Sequence, residues 1–410
     1  VFGDVRPGRA GKRGSDVEGP FGELNPPQRI LLGPGPSMVH PRVLRAMATP
    51  VIGHLDPAFL QIMDETLEML RKVFRTDNRL TFAVPGTGSA GMETCLANLI
   101  EPGDRAAIVV NGYFGERLCE MAVRHGADVA RVEVPWGRAV DPAAVEAALA
   151  AAPTKVVAAV HAETSTGVRQ AVEPLAAACH RRGALLVADA VTSLGACPVA
   201  VDAWDADAVY SCTQKGLSCP PGLAPVTFGE RAVAAMRARK TPVRSWYLDA
   251  SLLARYWSPE HLYHHTAPIT MFYALWQGLR LLLEEGLEAR WRRTETLSRA
   301  LGAGLEALGL GLFAEAGCRL PPLTTVRVPD GVSDAEVRKI LLTEFGLEIG
   351  GGLGETKGRV WRIGLLGESA TRANVLLVLS ALESVLVRQG VRCAPGAGVA
   401  AAQRTLSASA

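Results

Sequence analysis

The stretch LTFAVPGTGSAGMET, residues 80–94, decides the fold. Leu80–Val84 is rich in β-forming side chains and reads as a strand; a turn of Pro85, Gly86, Thr87 and Gly88 follows, and Met92, Glu93 and Leu96 then continue at helical spacing. A strand that runs through glycines into a helix is the first half of a β–α–β unit. Working outward, further β-rich runs recur between helical stretches: RAAIVV (105–110), TKVVAAV (154–160), GALLVADA (183–190), DAVYSC (207–212) and APVTFG (224–229). This alternation predicts an α/β fold with a mainly parallel sheet and helices on both faces. Upstream, Asp56-Pro57 predicts a cap and first turn for an amphipathic helix carrying Phe59, Ile62, Met63, Leu67, Leu70, Val73 and Phe74. Downstream, a helical zone from about 267 to 308 precedes β-like runs at 323–329 and 359–366 and a last helix at about 370–389, which together read as a smaller α+β domain.

The expected division is a flexible N-terminal arm (1–28), a large domain (29–285), a small C-terminal domain (286–390) and a mobile Ala-rich tail (391–410). Length and composition agree: 410 residues, 48% hydrophobic and 20% charged, suit two globular domains. Lys plus Arg (43) nearly balances Asp plus Glu (41), so no global basic field points to nucleic acid or a membrane surface. No apolar run reaches the ~18 residues of a membrane-spanning helix. Eight scattered cysteines without a CxxC pair read as reduced thiols of a cytoplasmic chain. Arg6, Arg9, Lys12 and Arg13 resemble a transit peptide, but Asp4, Asp16 and Glu18 run against that reading.

Three segments carry chemistry. Gly86–Gly91 matches GxGxxG, yet the next strand ends in Asn111-Gly112 where a dinucleotide site needs an acidic residue. The general physics remains: glycines bring backbone N–H groups and the Thr87 and Ser89 hydroxyls to an anion at a helix N-terminus. Asp189 ends an apolar strand at the carboxyl edge, where open α/β sheets bind ligands. Lys215, 26 positions later, sits in the polar turn Tyr210–Gly216 at the same edge, where a desolvated amine can form a Schiff base. An anion site, an amine and a carboxylate are the three requirements of pyridoxal phosphate. Against each stands a plainer reading: a structural turn, a helix cap, a solvated lysine. His264 and His265 lack further ligands at metal spacing, so no metal is expected.

The chain also resembles the class V, fold-type I pyridoxal-phosphate aminotransferases, and most closely the alanine–glyoxylate and serine–glyoxylate (serine–pyruvate) group. LLGPGPS (31–37), PGTGSAGMET (85–94), NGYFGER (111–117), HAETSTGV (161–168), VADAVTSLG (187–195), YSCTQKGLSCPPG (210–222), YHHT (263–266), GGLG (351–354) and RIGLLG (362–367) carry the resemblance. It implies that Lys215 forms the Schiff base with the cofactor, Asp189 meets its pyridine nitrogen, and Thr87, Gly88, Ser89 and Gln214 hold its phosphate. Phe114 would stack on the ring and Thr164 would contact its hydroxyl side. Tyr263 and Thr266 would reach the phosphate from the second subunit of a homodimer, and Arg362, with Gly35, would hold the substrate carboxylate. Phe114 stands where close relatives often carry Trp, and Thr164 where they often carry Ser. The implied reaction is ping-pong transamination from alanine or serine to glyoxylate or pyruvate, with donor selectivity expected from Phe114, Trp246 and Tyr247. The rivals are a cysteine-desulfurase-like lyase using Cys318, a silent relative without chemistry, and a nicotinamide oxidoreductase.

Overall fold

The computed structural model describes residues 22–408. The larger domain is built on a seven-stranded sheet of β1 (Leu80–Gly86), β2 (Arg105–Val110), β3 (Asp128–Glu133), β4 (Val156–Val160), β5 (Leu185–Asp189), β6 (Ala208–Tyr210) and β7 (Gly222–Phe228). Their order is β1-β7-β6-β5-β4-β2-β3. Only β7 runs against its neighbours, so the carboxyl ends of the other six share one edge. Strands β4 and β5 are buried at every position, which is why VVAAV and LLVAD show no polar alternation. The sequence reading missed β3. Its side chains are mostly solvated, and Asp128, Arg131 and Glu133 dilute the apolar signal in the way that protects a sheet edge from further pairing.

The predicted helix after Asp56 is present as Pro57–Phe74. Asp56 Oδ1 accepts from Ala58 N at 2.8 Å, and Arg75 closes the helix in the left-handed region. Phe59 from this helix meets Phe272 edge-on at 5.8 Å, docking it on the helix Ile269–Glu285.

The smaller domain has an antiparallel sheet in which Val360–Gly364 lies between Leu323–Arg327 and Gly350–Gly351. Its core gathers Trp361, Leu301, Leu379 and Leu386. Two expected boundaries need correction. Ile30–Leu31 pairs in parallel with Leu347–Glu348 and Leu32 joins this second core, so residues 30–32 pack with the small domain although they precede the large one. The tail expected to be mobile contains the helix Ala397–Ser407, with Ala401, Ala402 and Leu406 buried. Small residues there signal close helix approach rather than disorder: Gly398 lies on Gly304 of the helix Leu287–Ala307, and a side chain at either would strike the other's backbone carbonyl. Residues 1–21 of the expected flexible arm lie outside the described residues, while 22–28 are exposed and irregular.

A Cβ at Gly304 would lie 2.9 Å from Gly398 O and press on Leu379. Gly304→Val is therefore expected to destabilise the chain by about 1–3 kcal/mol, the usual cost of overpacking. An unchanged unfolding midpoint in a denaturant titration would show that the tail helix is not docked there.

Candidate active site

A cavity of about 290 Å³ opens at the carboxyl edge of the sheet. Gly35, Thr87, Gly88, Ser89, Phe114, Thr164, Asp189, Gln214 and Lys215 all line it, nine of the residues singled out from the sequence. All but Gly35 lie at or follow a strand end of this sheet. Thr87 precedes the helix Gly88–Leu99 that follows β1, and the first N–H groups of such a helix have no intrahelical partner. Gly88 is required there, because a Cβ would sit 2.8 Å from Val191 Cγ2. Phe114 begins the helix Tyr113–Arg124 after β2, Thr164 lies in the turn beyond β4, and Asp189 closes β5. Gly35 has φ +121°, and a Cβ on it would meet the Lys215 Cδ, Cε and Nζ atoms at 2.6–2.7 Å.

Asp189 is 3% exposed, and burial pushes its carboxyl up to about 7. Two donors oppose that shift: Tyr210 OH to Oδ2 and Val191 N to Oδ1, both at 2.7 Å. Burial also lowers the Lys215 amine, against the fields of Asp189 and Glu163. Its ammonium donates to Pro34 O, and no carboxylate of the described residues forms an ion pair with it. Burial shifts the balance of such an amine toward its neutral, nucleophilic form.

Arg362 stands just beyond the cavity wall at 7% exposure. Its Nε donates to Gly351 O at 2.7 Å and its Nη1 to Thr164 O at 3.3 Å, which ties the small domain to the large one. Burial brings its guanidinium down to about 10, still cationic at neutral pH. Tyr263 and Thr266 are exposed and do not line this cavity; the resemblance assigned them to a second subunit's site. Trp246 and Tyr247 do not line it either. Trp246 stacks on His264 with ring centroids 4.3 Å apart, and Tyr247 packs on His264 and His265.

Sequence reasoning passed over three residues. Glu163 is fully buried and accepts from Phe114 N at 3.1 Å, Ser165 N at 3.0 Å and Ser165 Oγ at 2.6 Å, so it pins the start of the helix that carries Phe114. Tyr210 orients Asp189. Arg117 lines the cavity and donates to Ser89 Oγ at 3.2 Å. All three lie inside quoted motifs, but nothing in their spacing separates them from packing residues. Cys318, the residue a lyase would need, lies in a short turn with its thiol against Gly137 O and Glu315 O, outside the cavity. Asn111 is buried and donates to Arg138 O at 3.3 Å, so no acidic side chain ends β2.

The donor set suits pyridoxal phosphate. A half-buried amine without a carboxylate partner among the described residues lines the cavity, a carboxylate lies at the end of the adjoining strand, and a helix N-terminus with two hydroxyls forms another wall. Gln214 adds a buried amide whose Oε1 has no partner. Comparisons agree with this reading. The family model described as Aminotransferase class-V matches residues 31–360. The (S)-ureidoglycine–glyoxylate transaminase of Bacillus subtilis (strain 168) is 44% identical over 398 residues, spanning 93% of this chain and 96% of that one. The crystal structure of ureidoglycine–glyoxylate aminotransferase from Bacillus subtilis superposes with a TM-score of 0.92 at 45% identity, covering 94% of this chain and 100% of that one. Alanine–glyoxylate aminotransferase from Nostoc sp. gives a TM-score of 0.88 at 49% identity, with coverages of 89% and 97%. With sequence, fold and buried donor set in accord, the chain belongs to the class V aminotransferases, pyridoxal-phosphate-dependent transaminases of fold type I.

Proposed function

We propose that the protein transfers an amino group from a small α-amino acid to glyoxylate, with Lys215 as the group that attaches the cofactor and moves the proton. One observation carries this reading: the half-buried Lys215 amine, without a carboxylate partner among the described residues, at the same sheet edge as buried Asp189. Bound pyridoxal phosphate supplies an aldehyde for amine exchange and a ring that accepts the electron pair released at the substrate α-carbon. Lys215 would attach the cofactor and, once freed, would take the substrate α-proton and return it as general base and acid, a task suited to an amine whose pKa burial has lowered.

Asp189 would hold a proton on the ring nitrogen through a charge-assisted hydrogen bond, with Tyr210 OH and Val191 N donating to its two oxygens and so keeping it an acceptor. Thr87, Gly88, Ser89 and Gln214 would bind the phosphate. Phe114 would cover the ring face and Thr164 its hydroxyl side. Arg362 offers a planar fork to the substrate carboxylate beside Gly35. Gly35 itself keeps the approach to Lys215 open.

Glyoxylate as acceptor is supported by the names of both relatives, and the donor set widens from alanine or serine to include ureidoglycine. Exposed Tyr263, Leu262, Val51 and Leu55 support a homodimer in which Tyr263 and Thr266 complete the partner's phosphate site. The lyase reading has no support, because Cys318 does not reach the cavity.

Lys215→Ala is expected to abolish turnover together with the visible absorbance of protein-bound cofactor; keeping both would remove Lys215 from its role. Arg362→Ala should raise KM for donor and acceptor about tenfold or more, from the loss of a charge-assisted pair, with a smaller change in kcat. Equal KM values for variant and wild type would move the carboxylate site elsewhere. In the cofactor-free chain, Asp189 titrates at about 7 against 3.8 unfolded, so its contribution to stability is full below about pH 4 and lost as pH rises through about 7. Asp189→Asn should remove that part of the pH dependence, as read by denaturant titrations of apo wild type and variant from pH 4 to 8.

A further inference from the structure

One cation at the cavity has no role in the scheme above. Arg117 lies one turn beyond Phe114 on the helix Tyr113–Arg124. Its guanidinium carbon sits 4.9 Å from the centroid of the Phe114 ring and 5.5 Å from that of Tyr113, and Nη1 donates to Ser89 Oγ at 3.2 Å. Other charges on this helix are committed: Glu116 pairs with Arg131 at 2.6 Å and Arg124 with Glu120 at 2.6 Å. Among the described residues, no carboxylate lies within ion-pair distance of Arg117. Ring stacking and the serine contact hold its head group at the cavity wall instead of in open solvent.

The groups assigned to the phosphate are neutral: the Thr87 and Ser89 hydroxyls, the Gln214 amide and the partial charge of a helix N-terminus, in a cavity also lined by Met92 and Val191. A phosphate dianion taken out of water among such groups needs a full positive charge nearby, and a planar guanidinium suits phosphate oxygens better than a point charge does. We propose that Arg117 is a further cofactor-binding residue, whose guanidinium pairs with the phosphate of pyridoxal phosphate beside Ser89. The inference rests on the reading that the Thr87–Ser89 end of the cavity receives the phosphate.

The test compares two ligands that share the aldehyde and ring and differ in the phosphate. Full-length protein stripped of cofactor is titrated by absorbance with pyridoxal phosphate and with pyridoxal, as wild type, Arg117→Met and Arg117→Lys. Methionine keeps an apolar stem over Phe114, and lysine keeps the charge without the fork. Arg117→Met is expected to weaken pyridoxal phosphate about 10- to 100-fold, the range of a lost charged hydrogen bond, while pyridoxal affinity moves by less than about twofold. Arg117→Lys should recover part of the loss. Equal losses for both ligands would show that Arg117 acts only by holding Phe114, and overturn the proposal. Unchanged cofactor affinity with a raised donor KM would overturn it too, by giving the guanidinium to the substrate. A wild type that binds both ligands equally tightly would sink the underlying phosphate assignment, and the proposal with it; that outcome is told apart from the others before any variant is measured.

Discussion

Four ionisable groups are withdrawn from water within one region of this protein, and the rest of the architecture follows from keeping them there. Lys215 and Arg362 are the cations, Asp189 and Glu163 the carboxylates. A buried charge is costly unless something compensates it. The direct solution, an ion pair between them, is not used. Lys215 leans on Pro34 O; Arg362 on Gly351 O and Thr164 O; Asp189 on Tyr210 and Val191 N; Glu163 on Phe114 N and Ser165. Opposite charges favour one another through the low-dielectric interior, as Glu163 does for Arg362, without contact. The amine and the guanidinium therefore carry no carboxylate partner among the described residues, and Nη2 of Arg362 is not used by either carbonyl.

Holding that arrangement needs backbone polar groups at defined places, which the sheet edge provides. Six strands end at one edge, and the segments that follow five of them, β1, β2, β4, β5 and β6, line the same cavity. The reversed strand β7 completes the edge from the other direction, pairing Gly222 with Gly86 and carrying Pro221 to the cavity wall. Gly35 and Gly88 are the positions where a side chain would fill the space that the chemistry uses.

Much of this was legible in the sequence, for a physical reason. Strands buried on both faces write continuous apolar runs, and their ends are marked by the first polar residue, so Asp189 and the Lys215 turn could be placed before any coordinates. Signals failed where burial is partial or where packing uses small side chains. The edge strand β3 is half solvated and charged, and the tail helix buries alanines and glycines whose composition mimics a flexible segment. Glu163 and Tyr210 were invisible for another reason. Their value lies in which atom they touch across the fold, and contacts between residues 49 or 21 positions apart leave no periodicity to read.

Residues 30–37 make a short strap between the two domains. At one end, Ile30 and Leu31 extend the small domain by pairing with Leu347 and Glu348, and Leu32 O accepts from Gly364 N at 2.7 Å. At the other, Pro34 O takes the Lys215 ammonium, and Ser37 bonds to the carbonyls of Gln214 and Lys215 at 2.9 and 2.8 Å. With so few residues between the two attachments there is little slack. Any rotation of the small domain that moved Arg362 would therefore be transmitted through this strap to the carbonyl on which the Lys215 ammonium rests.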